Sequence, residues 1–298
     1  VRAYHDALAS GYEFIVPIYR RAKHAASVTN TTLYPLVNGL LGADIRQPIG
    51  GEFGLSREFV RVVLRQRSVT DPALELNGFG IDAFLTCTAL ENAAKICGVN
   101  LGAKVHRIKN PARDLEAVFT DEVLVAFDSI ARNAAPLGSE RLIPQMGEAR
   151  SDAIPHPGVD CEQLARTART RYMVQVPQMR AWLPADILHR AHEIFNDVTL
   201  PSLANQEWIA VLFEAIAAFA QARSIPDVDE RRTAFRLIGA ALYPFYLARM
   251  INLVHETAPL EDDMAERVFH RYAAEMRARR FELFERLAGW TVNTYSVA

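Results

Sequence analysis

The stretch Arg46-Gln47-Pro48-Ile49-Gly50-Gly51-Glu52-Phe53-Gly54 places three glycines, one proline and three polar side chains within nine residues. Neither helical nor strand periodicity explains it. It reads as a functional loop: glycine permits positive φ or close backbone approach, and Pro48 stiffens the chain while removing a hydrogen-bond donor. Two further segments go with it. Gly78-Phe79-Gly80-Ile81-Asp82 opens an apolar helix, and Asn100-Leu101-Gly102-Ala103-Lys104-Val105-His106 reads as the strand that follows.

Working outward, Tyr12 to Tyr19 is rich in β-branched and aromatic residues and predicts a strand, with Pro17 limiting it to a strand end or edge. The basic residues Arg20, Arg21, Lys23 and His24 come next. Asn30-Thr31-Thr32 offers capping groups for a helix over Leu33 to Leu41 that stops at Gly42, and Ser56 offers a cap for the helix after the loop. A long apolar helix is predicted from about Ile81 to Ile96, stopping at Gly98, with a strand over Val99 to Ile108. Beyond Pro111, Leu115, Val118, Phe119, Val123 and Phe127 recur at helical intervals. A proline-bearing connection over 144–157 leads into helices predicted near 161–172, 185–197, 206–223, 230–255 with a break or kink at Pro244, and 262–287. The pattern is α/β up to about residue 108 and all-helical from 109 to 298.

The ordered loop, helix opening and strand resemble those of retaining nucleotide-sugar glycosyltransferases of the mannosylglycerate synthase and glucosyl-3-phosphoglycerate synthase type. The resemblance covers roughly residues 10 to 108 and continues more loosely at Leu242-Tyr243-Pro244-Phe245-Tyr246-Leu247-Ala248-Arg249. It implies the acceptor-side, C-terminal half of a Rossmann-like GT-A domain over 1–108, followed by a helical domain. It also implies transfer of a hexose from a nucleoside diphosphate sugar to a small acidic acceptor such as glycerate or phosphoglycerate. The family carries an Asp-x-Asp metal motif that has no counterpart before the loop, since Asp160 and Asp227 to Asp229 come too late. The chain is therefore expected to be the C-terminal part of a longer enzyme. The rival expectation is a noncatalytic helical oligomerisation or partner-binding module attached to a degenerate transferase half.

Spacing alone makes Asp82 an ordinary acidic residue in a first helical turn; the resemblance implies a catalytic carboxylate facing the reaction centre. A lone histidine near an apolar strand is ordinarily structural; the resemblance implies that His106 is a protein ligand to a divalent cation, Mg2+ or Mn2+, which prefers oxygen-rich sites. Arg21 and Thr29 read as a solvated basic residue and a helix cap, or, through the resemblance, as acceptor ligands, because an arginine fork suits carboxylate or phosphate. Gly50, Gly51, Glu52 and Phe53, with Arg46 and Gln47, form either a tight connection or a substrate-binding wall with oriented backbone donors. Asp186, His189 and Glu193 share helical spacing and read as an exposed polar face.

The charge balance of 33 basic against 35 acidic residues, net −2, argues against a broad nucleic-acid surface. Cys87, Cys97 and Cys161 form no metal-ligand spacing and predict reduced thiols and a cytoplasmic protein. The N-terminal residues predict no signal peptide. Trp208 to Ala222 is short and holds Glu214, while Leu237 to Val254 holds Pro244 and Arg249, so both predict buried helices and no membrane span. A homo-oligomer is compatible with this composition.

Overall fold

The computed structural model describes residues 2–104, 112, 115–133, 141–147 and 158–294, with side chains to residue 288. In chain order the elements are α1 (Arg2–Ala9), β1 (Phe14–Arg20), α2 (Tyr34–Leu41), β2 (Gly54–Leu55), α3 (Arg57–Val69), α4 (Ile81–Glu91) and β3 (Ile96–Ala103). They continue with α5 (Glu116–Arg132), β4 (Gln145–Met146), α6 (Cys161–Met179), α7 (Ala185–Asn196), α8 (Asn205–Ala222), α9 (Val228–Thr257) and α10 (Asp262–Thr294). The fold is mostly helical, 66%, with a small mixed four-stranded sheet, compatible with an α/β portion followed by helices.

The sheet order is β2-β1-β3-β4, with β1 antiparallel to β2 and parallel to β3. Pro17 sits inside β1, opposite Val99 of β3. The strand tolerates it because β2 pairs only with Phe14 and Ile15, so at Pro17 the other side of β1 is effectively an edge. The glycine loop covers this edge. A Cβ on Gly50 would lie 2.4 Å from Cγ of Pro17, so this close approach requires glycine at that position.

Two helix ends follow the sequence reading. Gly42 takes a left-handed φ of 70° at the end of α2, and Ser56 Oγ accepts a 3.0 Å bond from Phe59 N at the start of α3. Others differ. Thr29–Leu33 forms a π-helical run ahead of α2 with no side-chain cap. Thr31 Oγ1 donates to Ser27 O at 2.8 Å and Asn30 Nδ2 to Ala25 O at 3.0 Å, spending the expected capping groups on upstream carbonyls. The helix expected to reach Ile96 ends at Glu91. Ala93 turns the chain with φ 51°, and Ile96 and Cys97 already pair with Phe14 and Ile15. A buried apolar run has the same hydropathy in either conformation, which is why periodicity placed it in the helix. α9 runs from Val228 through Pro244 to Thr257 without interruption, Pro244 being held within a buried stretch.

The main hydrophobic cluster extends from Phe14 of β1 to Leu287 of α10. Trp208 of α8 is fully buried and donates its indole N–H to Thr31 O at 2.9 Å, while Ser27 and Tyr246 of α9 share a 2.6 Å hydroxyl bond. Gly39 of α2 lets α10 close in, since a Cβ there would stand 3.1 Å from Ala273 O. The helices thus fix the backbone of 27–34 from behind. Among the described residues α9 is the one helix long and apolar enough to cross a membrane, but 78% of its apolar window is buried within the fold, as in a core helix.

Candidate functional site

A cleft of about 550 Å3 opens at the C-terminal end of β1, between the segment after it, Arg46 and Gln47, and the first turns of α10. Tyr19, Arg21, Arg46, Gln47, Asp262 and Glu266 are among its lining residues. The basic run is only in part a solvated face: Arg20 is exposed, but the next basic side chains are half-buried. Lys23 Nζ donates to the carbonyls of Thr257 at 2.8 Å and Ala258 at 3.1 Å, and His24 Nε2 meets Thr257 Oγ1 at 3.0 Å. Lys23 thus satisfies carbonyls at the end of α9, where a cation is favoured, and His24 holds the Thr257 hydroxyl beside it.

Arg21 differs from its neighbours. Among the described residues it makes no hydrogen bond or ion pair; its Nε is buried without a partner, and its guanidinium stands 5.7 Å from the Tyr19 ring centroid. Burial, and then the charge of Arg46, push its pKa down to about 10. Glu52 and Tyr19 act in the opposite direction, so Arg21 remains a cation at neutral pH, half-buried and without a carboxylate in ion-pair contact, a state that costs some free energy.

Arg46 is held through Nε and Nη2. Its Nε and Nη2 grip the two carboxylate oxygens of Glu266, Nη2 at 2.9 Å, and Nη2 also donates to Asn30 Oδ1 at 2.9 Å. The guanidinium lies 5.0 Å from the ring centroids of both Tyr34 and Phe269. Gln47 donates from Nε2 to Tyr19 O at 2.6 Å, leaving its buried Oε1 without a partner.

Next to the cleft, Gly51 takes φ +88°. Glu52 pairs with Lys104 Nζ at 2.7 Å and accepts from the Tyr19 hydroxyl at 3.1 Å, while Lys104 Nζ also donates to Gly50 O at 2.8 Å. Burial pushes the Glu52 carboxyl up, but the hydrogen bond and charge of Lys104, with Tyr19 and Arg21, outweigh it and hold the group below its ordinary value. Phe53 anchors the loop by stacking on Phe14 with centroids 5.0 Å apart, and Thr86 Oγ1 of α4 donates to Pro48 O at 2.6 Å.

Asp82 lies in the first turn of α4. Glu122 of α5 caps that helix end, accepting from Ala83 N at 2.8 Å. Gly80 is there for close packing, since a Cβ would meet Glu75 O at 2.5 Å. A Cβ on Gly51 would stand 3.7 Å from Asp82 Oδ2 and 3.6 Å from Lys104 Nζ, so Asp82 and Lys104 both approach the open face of Gly51.

The structure therefore gathers Arg21, Arg46 and Gln47 at the cleft and places Gly50, Gly51, Glu52 and Phe53 beside it. Asp82 touches this loop but does not line the cleft. Thr29 is buried and does not line it either, whereas Asn30 does. His106 lies outside the described residues. Among the described residues no group of three or more His, Cys, Asp or Glu side chains stands close enough to hold a metal ion, so they do not by themselves fit the divalent cation that the resemblance implies. His189 is exposed and lies 3.7 Å from Glu193 on the same helix face. Sequence reasoning missed Tyr19, Lys104 and Glu266 as site residues. Lys104 stood within a quoted motif, but Glu266 is 220 positions from Arg46, beyond any local pattern. No family model matches the chain, and no curated protein matches it.

Proposed function

We propose that this protein is a retaining hexosyltransferase that moves a hexose from a nucleoside diphosphate sugar to a hydroxyl of a small acidic acceptor. The observation that best supports this reading is the half-buried Arg21 on the wall of the cleft, next to the glycine loop, whose buried Nε has no hydrogen-bond partner and which has no carboxylate in ion-pair contact. An arriving acid group offsets the cost of that cation, and a charge-assisted arginine contact adds orientation. The acceptor's acid group then sits at Arg21, and its hydroxyl is presented toward the face of Gly51 where Asp82 and Lys104 converge.

In the transfer, the bond from the anomeric carbon to the diphosphate oxygen breaks and a bond to the acceptor oxygen forms on the same face. The hydroxyl proton leaves with the departing diphosphate. Positive charge builds on the sugar, and the Asp82 carboxylate stabilises it, an interaction stronger in the transition state than in the ground state. The described residues supply no group of side chains that would hold a cation.

The test is incubation of the full-length protein with nucleoside diphosphate hexoses and small hydroxy acids, with products identified by mass spectrometry and NMR. An α-glycoside is expected, and Asp82→Asn is expected to lower kcat by roughly 100-fold with thermal unfolding unchanged. Wild-type turnover in a folded D82N protein removes Asp82 from the mechanism; no glycoside from any donor and acceptor pair overturns the whole reading.

A further inference from the structure

We infer that Glu266 is a specificity-determining residue: by occupying Arg46 it leaves the cleft one uncommitted cation among the described residues, so that the site selects singly charged carboxylates over doubly charged phosphates. This rests on reading the cleft as the acceptor site. Four cationic side chains, Arg20, Arg21, Lys23 and Arg46, line the cleft, opposed by the carboxylates of Asp262, Asp263 and Glu266. Lys23 is committed to the carbonyls ending α9. Arg20 has an interaction of its own. The fork of Arg46 is closed on both oxygens of Glu266, and its remaining contact goes to Asn30. That bidentate face is the one a phosphate would use.

Arg21 is left to meet the ligand. A monoanion matches it and neutralises the buried charge. A dianion brings a second negative charge with no further free cation among the described residues to receive it, opposite the acidic first turn of α10. Displacing Glu266 from Arg46 would admit it, but only by breaking two charge-assisted bonds and releasing a third carboxylate into the same cleft. Glu266 thus acts as a built-in anion held on the second arginine.

The experiment is calorimetric titration of the full-length protein with lactate and, separately, inorganic phosphate, in mildly alkaline buffer where phosphate is mainly dianionic. Wild type is expected to prefer lactate by at least about tenfold, or about 1.4 kcal/mol. Glu266→Gln, which removes the charge and keeps the size, is expected to shift the ratio toward phosphate by about tenfold or more. Glu266→Asp keeps the charge and is expected to retain the wild-type preference, which holds the proposal testable if the glutamine variant unfolds by circular dichroism. An unchanged ratio in a folded E266Q protein, a wild-type preference for phosphate, loss of both anions in folded E266Q, or no binding of either anion to wild type overturns the inference. These titrations need neither donor sugar nor turnover, so a protein that makes no glycoside can still show the charge preference, and an active transferase can lack it.

Discussion

Arg249 in the helical core is fully buried and Arg21 in the cleft is half-buried, and the two guanidinium groups differ in whether a carboxylate stands beside them. Arg249, fully buried on α9, has a charge partner although its Nε and Nη2 make no hydrogen bond: Nη2 lies 4.0 Å from Glu256, Nη1 bonds Asn252, and the Tyr272 ring centroid is 4.2 Å away. Tyr272 and Arg271 of α10 hold the same Glu256 carboxylate. Arg21 has an aromatic neighbour in Tyr19 but no adjacent carboxylate. Where two helices pack, the fold brings its own anion; where the cleft opens, it leaves the anion to come from outside. A buried charge is read best from what accompanies it, since the pairing decides whether it fastens structure or waits for a ligand.

The sharpest way to break this comparison is to remove each arginine in turn. Arg249→Ala should cost about 3 to 5 kcal/mol, because it leaves a gap in the core and strips Glu256 of its buried partner. Chemical denaturation measures this, and a loss below about 1 kcal/mol would show that the pair fastens nothing. Lactate binding by the folded fraction should stay at the wild-type level.

Arg21→Met should do the reverse. Taking away a half-buried cation that has no ion-pair contact, while keeping an apolar stem, is expected to leave stability unchanged or raise it by about 1 kcal/mol. Anion affinity should fall by at least about tenfold, the loss of one charge-assisted contact. A strongly destabilised R21M protein would make Arg21 a structural cation like Arg249, and undiminished anion binding would move the ligand elsewhere.

How much of this was legible in the sequence follows from how far apart the interacting groups lie. Ser56 and Gly42 were readable as helix ends because a cap is decided within a few residues. The glycine loop was readable as unusual, but the reason Gly50 must be glycine is the ring of Pro17 in a neighbouring strand. Asn30 and Thr31 looked like caps because their chemistry suits capping, and the same chemistry lets them bond backward to form the π-helical run. The basic run after β1 looked solvated because its acceptors, the carbonyls of Thr257 and Ala258, belong to the far end of the chain. Glu266 was illegible for the same reason. One helix from the other end of the protein takes up Arg46 and leaves Arg21 for a ligand, and spacing along the chain carries no trace of that.

The smallest expected effect concerns the loop between the two arginine environments, and its sign follows from Glu52. Lys104, Tyr19 and Arg21 hold that carboxyl below its ordinary value of 4.5, so the folded state binds the proton less readily than the unfolded chain does. The stabilisation is present above the unfolded value and is lost as pH falls through the lower folded value. Because the Glu52 side chain is 56% exposed, solvent screens the pair and the loss should loosen the loop without unfolding the protein. NMR titration of Glu52 checks the direction, and amide exchange at Gly51 to Phe53 should quicken in acid while exchange within α9 does not. Lys104→Met removes the largest stabilising contact and should return the Glu52 titration toward or above the ordinary value, since burial then acts with less opposition. An unshifted titration in both proteins would leave Arg21 without even the distant compensation of Glu52, making its contrast with Arg249 sharper still.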